Sequence, residues 1–529
     1  MNRAPSVTFL PVLLRGYDLQ GKLGTAAVVA VALAVAAACL GAPARAQPPT
    51  PEPGSATPLG SDVQHLHYKY GPIHVNPGQN LILIGPVTIE KPAYDGYVTR
   101  IKPDLVRADG SVPPVDQIHL HHGVFLNVSR TDSTSAGSER FFATGEEKTI
   151  FKMPPGYGYF SRGSDVWAVN HMVHNQTPVA DDVFITYDID FVPADSPLGK
   201  TMTGVRPVWM DVQNGSAYPV FDVHRGAGGP AGRWTYPDDA RPSPYKQRAL
   251  NTWTANRDLT IVAAAGHVHP GGLWDDLKLT RPGRKCRHRG CKTRHIFRSK
   301  ARYFDPGGPI SWDMAMTAAG RGWKVGVHKG DQLSISTAYE TKRASWYESM
   351  GIIVAYVADG IHGPDPFKKS VYTTGAVTHG HLPENDNHGG KDQGAPDPSK
   401  LPDADTIDNR VGIAGFEYLP GTIGLAGFMG NPPKVAAGQS LRFGNLDASA
   451  QIFHTITACA SPCNRSTGIS YPLADGSVDF DSSELGYGPT GFTAASNQGE
   501  WETPKTLPPG TYTYFCRIHP YMRGAFRVK

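Results

Sequence analysis

The chain reads as an all-β protein of several sandwich domains. Gly (59) and Pro (46) recur throughout its 529 residues. They interrupt short runs rich in Val, Ile, Thr, Tyr and Phe, and few stretches sustain a helical period. Such a length exceeds one compact core and suggests three or four domains. The net charge of +4 is too small a field to argue for a nucleic-acid partner.

Residues 1–46 have the pattern of an export signal. Arg3, Arg15 and Lys22 precede an apolar run from Thr25 to Leu40, and Ala44-Arg45-Ala46 offers a small-residue cleavage site. The run is short and Ala-rich for a membrane span. Membrane association is therefore expected only if the signal is retained, and the mature chain is expected in the periplasm or outside the cell. Cleavage leaves Cys286, Cys291, Cys459, Cys463 and Cys516. The two close pairs fit disulfides in an oxidising compartment, with Cys516 left over.

Residues 47–61 form a Pro-rich leader that reads as disordered. A first β-rich block covers 62–225, with strand-like segments at Asn80–Ile84, Gly123–Val128 and Val183–Phe191. A second, 226–360, includes Leu259–Ala264, Gln332–Ala338 and Gly351–Val357. Residues 361–412 are poor in large apolar side chains and rich in turn formers, the composition of an extended linker. Residues 413–529 have the length of one small sandwich.

In that last block Thr511–Phe515 alternates and runs into Cys516-Arg517-Ile518-His519-Pro520-Tyr521-Met522. Upstream, Ala450–Thr457 supplies a strand carrying His454. One thiolate, two imidazoles and a thioether are the ligand set of a type 1 copper centre, a trigonal His/His/Cys site with a weak axial Met. A c-type haem is excluded because Cys-x-x-Cys-His is absent. Structural zinc would want more thiolates or imidazoles and no thioether. On His454, Cys516, His519 and Met522, residues 413–529 resemble the cupredoxins, and the short ligand loop is closest to the amicyanin type. The resemblance implies electron transfer with a redox partner or small-molecule reductant. The insertion carrying Cys459 and Cys463 departs from that pattern.

Three histidine clusters precede the linker: Ile118–Phe125 with His119, His121 and His122, Asn170–Asn175 with His171 and His174, and Gly266–Gly272 with His267 and His269. Any one alone is more often a set of ordinary strand histidines. His-x-His on a strand points both rings to one face, so His267 and His269 can bind one metal. The adjacent His121 and His122 can do so only on irregular backbone. A Gly330-Asp331 strand start and Met350 before the apolar strand Gly351–Tyr356 follow in order.

Over residues 115–358 this series resembles the copper type II, ascorbate-dependent monooxygenases, and also a plant stress-induced, nodulin-related family. The resemblance implies two jelly-roll-like sandwiches and two further coppers. One would be a relay copper on His121, His122 and a third histidine, His174 in preference to His171. The other would be an oxygen-binding copper on His267, His269 and Met350, the residues that would carry catalysis. It also implies O2 and a small organic substrate hydroxylated at a C–H bond. The alternative is a non-enzymatic copper-binding electron-transfer protein. Fewer cysteines than those enzymes have, and the basic segment Arg284–Arg302, set this chain apart. His379, His381 and His388 are expected to be polar linker residues, and Asn127-Val128-Ser129 fits a glycosylation pattern.

Overall fold

The computed structural model describes residues 62–529 apart from 83–84, 214–219, 242–251, 284–291, 388–395, 424–429, 451, 462, 464–470, 472, 474–479 and 487–497. The export signal, the leader, the Cys286/Cys291 pair and His388 lie outside the described residues. What is described is all-β, with strands joined by turns and single-turn 3₁₀ segments. No described helix is long and apolar enough to cross a membrane.

Two facing sheets make the first sandwich. In one, Gln64–Val75, Asp181–Pro193 and Gly96–Arg107 pair antiparallel. In the other, Trp167–Asn175 lies between Ile118–Thr131 and the short strands Asn80–Ile82 and Val87–Ile89. Alternating apolar residues bring Phe125, Phe141, Trp167, Tyr187 and Ile189 into the core between them.

The second sandwich continues the same sheet rather than starting a new one. Thr203–Asp211 pairs with Tyr157–Ser161 on one side and with Ile352–Asp359 on the other. Beyond it, Ile352–Asp359 pairs with Leu259–His267, and Gly272–Arg281 pairs with Gln332–Glu340. Met350, Ile352 and Val354 consequently pack in the same apolar cluster as Phe125 and Trp167.

The C-terminal sandwich has two four-stranded sheets, one ending in the hairpin of Gly510–Phe515 and Arg523–Val528. Its core includes Ile413, Tyr418, Phe443, Tyr514 and Phe526. Cys459 and Cys463 form a disulfide, and Cys516 is a free, buried thiol.

The stretch 361–412, expected to be an extended linker, is packed against the sandwiches where it is described. Ala376–Val377 pairs with Met314–Ala319. Asn385 is buried and accepts from Val115 N–H at 3.2 Å, and Asn387 donates to Asp116 at 2.9 Å. Polar side chains that look solvated in sequence here satisfy buried polar groups of the sandwiches.

Candidate metal centres

At the C-terminal site a strand delivers Cys516 and a tight loop returns the next ligands. Cys516 N–H donates to Met522 C=O at 3.1 Å, and Met522 N–H to His519 C=O at 2.8 Å. Cys516 Sγ lies 3.7 Å from His519 Nδ1, and His519 Nδ1 lies 3.3 Å from His454 Nδ1. His454, Cys516, His519 and Met522 are all buried. Most of Ala450–Thr457 is not the expected strand. His454 is held instead by a single bridge to Leu485, which the irregular chain on either side permits.

The outer nitrogens set the tautomers. His519 Nε2 donates to Gly78 C=O at 2.6 Å, and His454 Nε2 contacts Asp447 Oδ2 at 2.9 Å. A carbonyl only accepts, so the His519 proton sits on Nε2 and its Nδ1 keeps a lone pair. Two such nitrogens facing each other beside a sulfur fit a cation, and Thr455 N–H donates to Cys516 Sγ at 3.3 Å as a surrounding support. Burial alone would push the Cys516 thiol up, but its contacts with His454 and His519 hold it well below the ordinary value, which favours the thiolate form.

The upstream histidines converge where the two sandwiches meet. Pairing shifts between Leu120↔Val173 and His122↔Met172, so His121 is bulged out of register. That irregularity turns His121 and His122 towards one place. His122 Nε2 lies 2.8 Å from His269 Nε2, and donor atoms of His121, His122 and His269 fall within 4.8 Å of one another. A second group, His119, His121 and Glu146, meets the same limit. His267 Nδ1 contacts Glu147 Oε2 at 3.1 Å.

Burial lowers His119 to about 4 and drives His122, His174 and His269 well below the usual imidazole value. These rings are therefore neutral, the form that binds metal. His267 is the exception. Burial opposes its charge, yet Glu147 beside it raises it to about 9.

Sequence assigned His122 and His269 to different ions on different sandwiches, and the fold brings them into contact. Packing of one sandwich against the other does this, and no local pattern encodes it. The His174 ring stands 5.3 Å from that of His119 and 6.1 Å from that of His519. His171 packs on Tyr70 instead, at 5.7 Å. Met350 lies in the apolar core, its backbone N–H and C=O both bonded to the Tyr339 hydroxyl at 3.0 and 2.7 Å. The same hydroxyl accepts from His269 N–H at 3.1 Å, which pins Met350 and His269 together through their backbones.

His119, Glu146, Glu147, Asp447 and Tyr339 were not picked out by sequence. Only His119 had a signal, its His-x-His spacing to His121. Of the remaining candidates, His379 bonds Glu147 C=O and His381 bridges Asp313 and Asp386 at 2.8 and 2.7 Å. The Asn127 amide is buried and donates to Tyr159 and Asp165, which removes it as a glycosylation acceptor.

The C-terminal site is wedged against both sandwiches. Gly78 has φ +61°, and a Cβ there would collide with Phe416 and Tyr521. Arg517 bonds Ser345 C=O and lies over the Trp346 ring at 4.6 Å.

No family model matches the chain. No curated protein matches it either. Among solved structures it is similar to a purple cupredoxin from Nitrosopumilus maritimus, with 17% identity over 23% of this chain and 100% of that one, at a TM-score of 0.16. It is also similar to a copper-containing nitrite reductase from Thermus scotoductus SA-01, with 13% identity over 52% of this chain and 58% of that one, at a TM-score of 0.15.

Proposed function

We propose that this is an exported copper protein in which a cupredoxin-type centre on His454, Cys516, His519 and Met522 exchanges single electrons with copper held by the buried upstream histidines. The observation that carries this reading is the contact between the two sites. The His174 ring has a neighbour from each of them: it stands 6.1 Å from His519 and 5.3 Å from His119. From His519 the route to the upstream cluster is a step from its ring to that of His174. Copper supplies a one-electron couple when bound. The chain fixes the Nδ1 donors through Asp447 and Gly78, keeps the upstream rings neutral by burial, and excludes water from the path.

In the copper-loaded protein, a pulse of reductant should bleach the type 1 absorption, which should then recover as the electron moves on. His174→Phe, with the type 1 absorption retained, should slow that recovery by roughly 10–100-fold, the usual cost of losing a group that supports a metal site. An unchanged rate removes the reading.

A small apolar cavity favours a second, enzymatic reading. Phe142, Phe151, Ile352, Val354 and Tyr356 line it, with Thr149 and His267 as polar members. Such a space has room for O2 alone, and a C–H substrate would have to approach it from outside. Hydroxylation consumes two electrons besides O2, drawn from an outside reductant or redox partner. Oxygen uptake by the reduced protein should fall in Met350→Ala. Equal background uptake in both leaves a non-enzymatic electron-transfer protein.

A further inference from the structure

We propose that Glu146 is a metal ligand and that His119, His121 and Glu146 form a mixed imidazole–carboxylate site for a divalent transition metal, copper(II) foremost. This rests on the reading that the upstream histidines hold metal, and it assigns one ion a ligand set of its own beside the facing pair His122 and His269.

Glu146 is 2% exposed, and neither of its carboxylate oxygens accepts a hydrogen bond of good geometry among the described residues. Its Oε2 lies 3.4 Å from His121 Nδ1. His121 Nδ1 and His119 Nε2 also lack hydrogen-bond partners. His119 Nδ1 donates to Val115 C=O at 2.6 Å, which leaves the lone pair on Nε2. One atom from each residue lies within 4.8 Å of the others.

A buried carboxylate without donors is costly unless a cation neutralises it. The neighbouring lysine does not do so, because Lys148 Nζ is bonded to Asp104 and Glu384, each at 2.9 Å, which leaves a protonated His121 or a metal ion to neutralise it. Glu147 differs, with its carboxylate engaged by Gly145 N–H and His267. The loop is shaped for close approach. A Cβ on Gly145 would come within 2.7 Å of both His121 O and His267 Cε1, so only glycine lets this turn bring Glu146 inward. His174 Nε2, buried and also unpartnered, is the nearby fourth donor. Two imidazoles and a hard carboxylate suit a doubly charged ion better than a singly charged one. The Glu146 site should therefore hold oxidised copper more firmly than His122 and His269 do.

The test uses full-length protein loaded with Cu(II), desalted, and measured for copper per chain and by electron paramagnetic resonance. Glu146→Gln should lose one copper per chain and the signal of that ion while keeping the type 1 absorption. The same variant should gain less in melting temperature from added Cu(II) than wild type does. A variant with wild-type copper content and spectrum overturns the inference and leaves the proposed electron-transfer function standing. A wild type that binds only the type 1 copper overturns both. If Glu146→Gln also loses the type 1 absorption, the copper-induced rise in melting temperature of Cys516→Ser with and without Glu146→Gln decides, and an equal rise in both overturns the inference.

Discussion

Three candidate ligands of the C-terminal site come from one short stretch, Cys516 to Met522; two of the supports, Asp447 and Thr455, lie on the same sandwich and the third, Gly78, on the first sandwich. The upstream cluster gathers His119 to His122, Glu146, His174 and His269 from four segments of two sandwiches. The outer nitrogens of the C-terminal histidines are both bonded, to Asp447 and to Gly78. Upstream, His119 Nε2, His121 Nδ1, His174 Nε2 and both Glu146 oxygens lack a hydrogen bond among the described residues. The C-terminal site completes its surroundings with the borrowed Gly78 carbonyl, whereas the site assembled between sandwiches depends on what it binds to satisfy buried polar atoms.

Removing the thiolate breaks the comparison most directly. Cys516→Ser should abolish the intense visible absorption and one copper per chain while upstream copper stays, as metal analysis with absorption spectroscopy would reveal. Loss of both would mean that the two regions are not independent in binding.

Acid should destabilise both regions of the metal-free protein, with one group opposing the trend upstream. Burial holds His119, His122, His174 and His269 below the ordinary 6.5, so their contribution is lost as pH falls below that value. Burial raises Asp116, packed under the 361–412 stretch, from 3.8 to about 6, a change worth about 3 kcal/mol. Between those values the folded state holds more protons than the unfolded one, so this group's contribution to stability falls as pH rises towards 6 and is relieved on acidification. Burial also pushes Asp447 up, but His454 holds it below the ordinary 3.8. Its contribution is present above 3.8 and lost as pH falls below it. Hydrogen exchange resolved by region should show both regions of the metal-free protein losing protection on acidification, the upstream one from a higher pH, and Asp116→Asn should steepen the upstream loss. Upstream protection that rises on acidification would contradict the assignment.

Tyr339→Phe removes the hydroxyl shared by His269 and Met350 and should cost about 1–3 kcal/mol, read from denaturant unfolding. The upstream copper spectrum should change and the type 1 spectrum should not. Gly78→Ala, strained at positive φ and obstructed by Phe416 and Tyr521, should cost about 1–2 kcal/mol. Its sharper effect should be slower transfer between the two regions at unchanged copper content.

The all-β class was legible from turn breakers between short strand-like runs. The approach of Cys516 to His519 was legible because sequence spacing and spatial spacing coincide in a tight loop. His121 and His122 were readable only as a condition, irregular backbone, which the bulge meets. The His122–His269 contact was not readable, since sheet continuity through Thr203–Asp211 sets the sandwich packing. Glu146 has no sequence signal, because acidic residues in a Gly-Glu-Glu-Lys turn ordinarily face water. The 361–412 stretch misled for a related reason. Its polarity serves buried partners such as Val115 and Asp116 instead of solvent.

The bond from His519 to Gly78 also bears on traffic with the outside. His519 is 1% exposed, and its outer ring edge is taken up by another part of the same molecule. A foreign donor cannot dock on that edge, so the C-terminal centre is insulated on the side that leads inward. On the proposed electron-transfer function, charge arrives through a different face of that domain, and whatever leaves by His519 is delivered within the chain.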